Sequence, residues 1–201
     1  MMAISLRCRL TINRRRIATA LALAGLVSIG DGLWIHAKAR LAQVLLERAF
    51  AATVATGQAI RPWPWADTWP VARLTVPRIG ARAIVLAGTS GQALAFGPGH
   101  VEYTPDAGER GVAVYAAHRD THFAFLKDVL PGDLIVVTRA DWRTLHYRAD
   151  HATVVRFDAA GIDPQAAGHG LALSTCWPFD AVTPGPLRYV LYAMLEGSKP
   201  P

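Results

Sequence analysis

The sequence predicts a mainly β fold of eight short strands with few helices, preceded by an N-terminal helix long enough to cross a membrane. Three observations support this. Residues 17–37 form an apolar run interrupted by one charge, and residues 71–195 alternate short β-type segments with turn residues. Hydrophobic residues make up 52% of the 201-residue chain and charged residues 18%, which excludes a disordered chain. A closed barrel or a sandwich is the architecture expected of such strands.

The N-terminal apolar run predicts a membrane anchor. Residues 17–30 carry no charge, Asp31 interrupts them, and residues 32–37 continue the run, which gives about 30 Å of helix, enough to span the hydrocarbon core. Five arginines and no acidic residue precede it, so the positive-inside rule keeps the N-terminus cytoplasmic. The alternative is a cleavable signal peptide, because residues 37–39 resemble an A-x-A cleavage site. The helical pattern that continues beyond them favours an uncleaved anchor.

Composition then divides the chain into successive segments. Three prolines and three tryptophans between residues 61 and 70 disfavour helix and indicate an extended arm. We expect these tryptophans to pack on the domain surface rather than bind a ligand. The predicted organisation is a basic cytoplasmic tail (1–16), a single transmembrane signal-anchor (17–37), a helical stalk (38–60), the Pro/Trp-rich arm (61–70) and an exported β domain (71–197).

The net charge of +6 belongs to the N-terminus rather than to the β domain. Residues 1–40 contain seven basic residues and one acidic residue, and the rest of the chain contains equal numbers of each. Because binding to a phosphate backbone requires clustered Lys and Arg, the neutral domain argues against a nucleic-acid partner.

The β segments are bounded by turn residues such as Pro131-Gly132-Asp133. The predicted strands are 71–76, 82–86, 111–117, 133–138, 143–148, 151–157, 170–175 and 187–195. Short helical turns are predicted at 89–95, 122–128 and 163–168.

The two cysteines, Cys8 and Cys176, are too few for a disulfide scaffold or a four-cysteine zinc site. The predicted anchor places them on opposite sides of the membrane, so they cannot pair. Cys176 is therefore a lone thiol in an oxidising compartment, which suggests that its chemistry is used.

Three ionisable side chains lie at predicted strand ends. His118 follows one strand, Cys176 follows another, and Arg188 begins the last. Loops at strand ends are where rigid scaffolds place reacting groups. A thiolate can act as nucleophile, an imidazole can move its proton, and a guanidinium can hold an oxyanion. This set predicts acyl transfer.

The residues around these three side chains resemble the sortases. The segments are Ala-His-Arg-Asp-Thr-His-Phe at 117–123, Leu-Ser-Thr-Cys-Trp-Pro-Phe at 173–179 and Pro-Gly-Pro-Leu-Arg-Tyr at 184–189. These variants are similar to those of the sortase group of Gram-negative proteobacteria. The resemblance covers about residues 71–195, and the stalk and arm look similar too.

This resemblance implies an eight-stranded β-barrel cysteine transpeptidase facing the periplasm from the inner membrane. Such an enzyme cuts a C-terminal sorting signal like Leu-Pro-x-Thr-Gly between Thr and Gly through a thioacyl intermediate, then passes the acyl group to an amine. By the same resemblance Cys176 is the nucleophile, His118 the acid and base, and Arg188 the oxyanion and substrate holder. Its partners are a protein bearing a sorting signal, an amine acceptor and the membrane; no cofactor is expected.

Three secondary members of the site are also expected, and three alternatives stay open. By the resemblance Thr175, directly before Cys176, adds a hydroxyl to the oxyanion site, and His122 and Trp177 are expected in its substrate-binding part. A metal site of His118, His122 and Cys176 is one alternative, although no single helical face is assured. A second is an L,D-transpeptidase, whose Ser-x-Gly-Cys-x-Arg pattern this chain does not match. A third is a membrane-tethered β-barrel binding module with an inert cysteine.

Overall fold

A computed structural model describes residues 14–159 and 161–197, and the chain separates into two compact units between Leu41 and Ala42. The first long element is helix α1, Arg14–Thr56. Within the described part of the chain, α1 is the one helix long and apolar enough to cross a membrane, and the most apolar stretch of it has no buried residue. Signal sequences share these properties.

The second unit is a closed barrel of eight strands, which confirms the predicted fold class. Its order is β1-β2-β3-β4-β7-β8-β6-β5. The strands are β1 Pro70–Val76, β2 Ala81–Ala87, β3 Gly99–His100, β4 Gly111–Ala116, β5 Leu134–Arg139, β6 Thr144–Arg156, β7 His169–Trp177 and β8 Leu187–Leu195. Helix α2 is Gly91–Phe96, and 3-10 turns occur at Pro77–Ile79, Ala124–Asp128 and Phe157–Ala159.

Three details differ from the sequence-based expectation. The predicted strands 143–148 and 151–157 are one strand, β6, whose register shifts between Ala149 and Ala152. Strand β3, of two residues, was not predicted because it is too short to carry a pattern. The helical turn predicted at 163–168 was wrong, since that stretch contains turns and bends but no helix.

Alternating apolar side chains of the strands fill the barrel. The largest fully buried side chains there include those of Leu74, Tyr115, Tyr147, Leu171 and Leu191. The buried Tyr147 hydroxyl accepts a hydrogen bond from the backbone N–H of Gly108 at 2.6 Å. Burial raises the pKa of Tyr147 to about 12, so this phenol stays neutral.

Residues 42–56 of α1 pack against the barrel as part of the second unit. Leu46 and Phe50 are almost fully buried and contact a cluster with Ile84 and Leu86 of β2. Arg73 of β1 forms an ion pair with Glu47 and lies 4.6 Å from the centroid of the Phe50 ring. The predicted stalk (38–60) thus includes a segment that belongs to the folded domain.

The arm between α1 and β1 is tied to the barrel at several points. The Trp63 ring meets that of Phe96 edge-on, with centroids 4.7 Å apart. The Thr68 hydroxyl donates to the Ala87 carbonyl at 2.7 Å. Trp65 is 77% exposed, so the arm tryptophans do not all pack on the domain.

Candidate active site

Three neighbouring strands of the barrel bring their ends to one edge. β4 and β7 are parallel, so their C-terminal ends lie side by side. β8 is antiparallel to β7, so its N-terminal end lies at the same edge. His118, Cys176 and Arg188 occupy these three ends.

The strand register aligns the three residues across neighbouring strands. Cys176 is the direct partner of Arg188 across the β7–β8 pair. On the other side of β7, Ala116 partners Ser174, and the Ala117 N–H donates to the Ser174 carbonyl at 3.1 Å. Continued by two residues beyond the end of β4, this register predicts that the backbone of His118 lies beside Cys176. Since neighbouring strands lie about 4.8 Å apart, the three backbones form one row.

Side-chain alternation puts this row on the outer face of the barrel. The odd-numbered Tyr115 and Ala117 of the β4 segment and Leu173 of β7 belong to the interior core. The even-numbered positions therefore point outward, and Val114 of β4 packs in a separate outer cluster. By the same parity Cys176 and Arg188 share the outer face, and we infer that His118, two residues beyond β4, lies on it too. His118 is exposed, and the other two are partly buried.

Cys176 is a free thiol within the described part of the chain. Cys8 lies outside the described residues. The position of Cys176 at the end of a strand paired on both sides gives the sulfur a rigid base and leaves it accessible.

One nitrogen of the Arg188 guanidinium is held by hydrogen bonds to the backbone. Nη1 donates to the carbonyls of Gly185 and Leu187, at 3.0 and 2.9 Å. The guanidinium carbon lies 5.7 Å from the centroid of the Phe157 ring, a cation–π distance. Within residues 14–159 and 161–197 no carboxylate forms an ion pair with Arg188. Its charge is therefore available to an anion on the outer face.

Thr175 faces the opposite side of β7 and is 2% exposed. Its hydroxyl donates to the Ala117 carbonyl at 2.7 Å. The residue before Cys176 is thereby bonded to the residue before His118. Since this hydroxyl has one proton, it does not offer a donor to the outer face in this structure, which differs from the expected addition to the oxyanion site.

Trp177 also lies across β7 from the Cys176 side chain. Its ring stacks on Tyr189 with centroids 5.8 Å apart and meets Phe179 edge-on at 5.5 Å. Phe179 and Tyr189 pack against the barrel core, and burial raises the pKa of Tyr189. Trp177 thus packs on two aromatic residues that contact the barrel core, on the side of β7 opposite the Cys176 side chain.

His122 lies on the short segment that follows His118. It is partly buried, with Nε2 3.5 Å from the Ala95 carbonyl oxygen. Burial is the main cause that lowers the pKa of His122, and the hydrogen bond with the Ala95 carbonyl partly opposes it. The described residues contain no cluster of three or more His, Cys, Asp or Glu side chains able to hold a metal ion.

Two residues that contact the site loops were missed by the sequence reasoning, Phe157 and Arg119. The Phe157 ring lies beside Arg188, as described above. The Arg119 guanidinium donates to carbonyls of the loop between β7 and β8. The position of Arg119 directly after His118 was the one available signal.

A cavity of about 490 Å³ lies elsewhere on the domain and contains none of the candidate site residues. Its lining includes Thr53 of α1, Trp69 and Trp142, with Arg139 as its basic group. Arg139 is already paired with three carboxylates, those of Asp106, Glu109 and Asp141. The cavity therefore lacks an unpaired charge to recognise a ligand.

The family model and the curated relative that match this chain are both sortases. A family model described as the sortase domain matches residues 74–196. The chain is 31% identical over 121 residues to sortase D of Bacillus subtilis (strain 168), covering 59% of this chain and 60% of that relative, so it spans about three fifths of the curated relative's length.

Two solved structures have the same fold. Sortase A from Corynebacterium diphtheriae is 27% identical, with a TM-score of 0.60 over 68% of this chain and 65% of that chain. A Clostridium perfringens sortase D5 transpeptidase, 21% identical, gives a TM-score of 0.62 over 79% of this chain and 99% of that chain. At that identity the second likeness concerns the fold alone.

Proposed function

The chain belongs to the sortase family of cysteine transpeptidases, and from this premise we propose that it cleaves a C-terminal sorting signal and transfers the released acyl group to an amine. The signal resembles Leu-Pro-x-Thr-Gly and is cut between Thr and Gly. The observation that carries the proposal is the row of His118, Cys176 and Arg188 on one face of three adjacent strands.

In the acylation step the Cys176 thiolate attacks the carbonyl carbon of the substrate threonine, and a carbon–sulfur bond forms. The carbonyl oxygen becomes an oxyanion, which the N–H groups of Arg188 stabilise. When the intermediate collapses, the carbon–nitrogen bond breaks and protonated His118 gives its proton to the leaving glycine amine. A thioacyl enzyme remains.

In the transfer step an acceptor amine attacks the thioester carbonyl and forms a new amide bond. His118 accepts the proton that the amine loses, and Cys176 leaves as the thiolate. The same imidazole thus serves as acid and then as base, and the cycle returns both groups to their starting forms.

The contacts of Arg188 orient its guanidinium for stabilising the oxyanion. Nη1 is held by two carbonyls, and the Phe157 ring lies beside the guanidinium carbon. The remaining N–H donors keep a defined direction. A planar guanidinium that is always charged can then contact an oxyanion and a substrate carbonyl together.

The N-terminal segment supports a place at the inner membrane. The apolar residues 17–37 would form a single span, with the arginine-rich tail in the cytoplasm and the barrel in the periplasm. The periplasm follows from the motif variants around Cys176 and His118, which resemble those of sortases from Gram-negative proteobacteria. No metal or cofactor takes part in the proposed reaction.

The alternatives predict different behaviour of the same residues. An L,D-transpeptidase would act on peptidoglycan stem peptides and leave a sorting peptide intact. A binding module with an inert cysteine would retain the peptide without cleaving it. Cleavage between Thr and Gly therefore separates the proposed function from both.

The test uses a quenched fluorescent peptide containing a Leu-Pro-x-Thr-Gly-type sequence. We expect the full-length protein to cleave it between Thr and Gly, and Cys176→Ala to abolish cleavage, because loss of the nucleophile removes the covalent route. Cys8→Ala is the matched control and should keep full activity. Residual activity of Cys176→Ala within about tenfold of wild type would exclude Cys176 as the nucleophile.

A further inference from the structure

The loop between β7 and β8, residues 178–186, connects the strand that ends in Cys176 to the strand that begins near Arg188. Several of its carbonyls are bonded to other parts of the domain. The Gly185 carbonyl accepts a hydrogen bond from Arg188, and the Pro186 carbonyl accepts one from the Phe157 N–H at 2.8 Å. The C-terminal part of the loop is thereby held to the edge that carries Arg188.

The middle of the loop is held by Arg119. Nη2 of Arg119 donates to the Ala181 carbonyl and to the Thr183 carbonyl, the latter at 2.9 Å. Between these two carbonyls the Val182 side chain is 99% exposed, so apolar packing does not hold this part of the loop. The two hydrogen bonds from Arg119 therefore have a larger share in fixing it.

Arg119 is partly buried, and its bond to the Ala181 carbonyl is partly buried while that to the Thr183 carbonyl is exposed. Nη1 is shielded from solvent and has no hydrogen-bond partner in the described part of the chain. Burying an N–H group without an acceptor is unfavourable, and an arginine free to turn into water would avoid it. The guanidinium is thus held against the loop at a cost, which the two bonds to loop carbonyls offset.

Arg119 is covalently adjacent to His118, and the segment that it begins is itself short and closed. The Phe123 N–H donates back to the His118 carbonyl at 3.0 Å, so residues 118–123 form one compact turn. A bond from this turn to the β7–β8 loop therefore constrains His118 relative to both ends of that loop, where Cys176 and Arg188 lie.

We propose that Arg119 is a positioning residue that fastens the His118 turn to the β7–β8 loop and so keeps the imidazole beside Cys176. This rests on the proposed function, in which His118 protonates the leaving amine. Arg119 itself does not touch the reacting atoms. Cys176 and Arg188 are fixed to each other by the β7–β8 ladder, whereas the hydrogen bonds of Arg119 in the described part of the chain go to the loop. Loss of Arg119 should consequently disturb proton transfer more than nucleophilic attack.

Two forms of one peptide separate these effects. In the amide form the leaving glycine nitrogen needs a proton, whereas in an ester form, with glycolate in place of glycine, the leaving alkoxide depends on it much less. The variants of the full-length protein are Arg119→Met, which removes the donors, and Arg119→Lys, which keeps a charged donor. Arg156→Met is the control, because Arg156 is exposed and its ion pair in the described part of the chain is a local one, with Asp158 at 3.0 Å.

In a single turnover we expect Arg119→Met to slow release of the leaving group from the amide by about tenfold or more, since small displacements of a catalytic group are costly. Release of glycolate from the ester in the same assay should stay within about threefold of wild type, because this release precedes the transfer step, in which His118 acts on the same thioacyl enzyme for both peptides. Arg119→Lys should recover part of the amide activity, and Arg156→Met should match wild type. Equal losses on amide and ester, or no loss on either, would overturn the proposal.

A second measurement does not depend on activity. Hydrogen–deuterium exchange should show faster exchange in Arg119→Met at the amides of Phe123 and Ala181, which bond within the turn and the loop, and unchanged exchange in the barrel strands. If wild type cleaves neither peptide, the proposed function fails. In that case faster exchange at both sites still supports the link made by Arg119, and unchanged exchange overturns it.

Discussion

The buried hydroxyl of Thr175 links the two strand ends of the candidate site on the inner face of the barrel. It bonds the Ala117 carbonyl and so joins the residues that precede His118 and Cys176. We expect Thr175→Val to destabilise the domain by about 1–3 kcal/mol, because the Ala117 carbonyl is left buried without a donor. Thermal unfolding would register this as a drop of about 2–4 °C per kcal/mol. Thr175→Ser, which keeps the hydroxyl, is the control; a valine variant as stable as the serine variant would contradict the expectation.

Arg188 tests whether charge or geometry matters at this edge. Arg188→Lys keeps the charge but loses the planar set of donors and the contact with Phe157. We expect turnover of the sorting peptide to fall about 100- to 1000-fold, the cost of one oxyanion donor. Alkylation of Cys176 by iodoacetamide forms no oxyanion and should be unchanged.

The Arg188 variant is compared with Arg156→Lys, a neighbouring surface arginine that should behave as wild type. Near-normal turnover of Arg188→Lys would remove Arg188 from the transition state. Equal losses in turnover and alkylation would show instead that Arg188 controls the thiolate population.

At the scale of elements, a carboxylate joins the turn after β1 to the start of β5. Asp133 is 8% exposed and accepts hydrogen bonds from Nε and Nη2 of Arg78, at 2.5 and 2.7 Å, and from the Leu130 N–H at 2.8 Å. The hydrogen bonds from Arg78 are the main cause that lowers the pKa of Asp133. The folded state therefore stabilises the ionised form of Asp133 relative to its protonated form.

Because the pKa of Asp133 is lowered on folding, the free energy of unfolding should decrease in acid. A lowered folded-state pKa stabilises the domain above the unfolded value of about 3.9, and this stabilisation is lost as the pH falls through the folded value. Asp133→Asn should consequently be less stable than wild type at pH 7, and the gap should narrow at pH 2. Urea unfolding at several pH values measures it, with the exposed Asp158→Asn as control. A gap that stays constant with pH would contradict the role of ionised Asp133.

Elements were predictable where the pattern is local. Alternation and turn residues located β1, β2, β4, β5, β7 and β8 within a few residues. β6 was divided in two because the polar pair at 150–151 interrupts alternation at the point where the register shifts. The strand ends that carry His118, Cys176 and Arg188 could be read in the same way. The partners of Arg119 and Thr175 could not, since they lie about 60 residues away along the chain and depend on how the loops pack.

At the scale of the whole molecule, the distribution of charge separates the two ends of the chain. The excess of basic residues lies before residue 41, and the remainder is balanced. Basic residues next to an apolar run retain that side of a membrane protein in the cytoplasm, whereas a long domain on the other side is exported largely regardless of its charge. The two cysteines lie on either side of the run, at positions 8 and 176, and can report this arrangement.

The predicted topology can therefore be read by labelling with a membrane-impermeant maleimide in spheroplasts of a Gram-negative host that express the full chain. We expect labelling of Cys176 without detergent and additional labelling of Cys8 once detergent dissolves the membrane, because the span keeps residue 8 in the cytoplasm. Cys176→Ala should label only in detergent, and Cys8→Ala should label equally in both conditions. Labelling of Cys8 in intact spheroplasts would reverse the topology. Absence of Cys8 from the purified protein would show a cleaved signal peptide in place of an anchor.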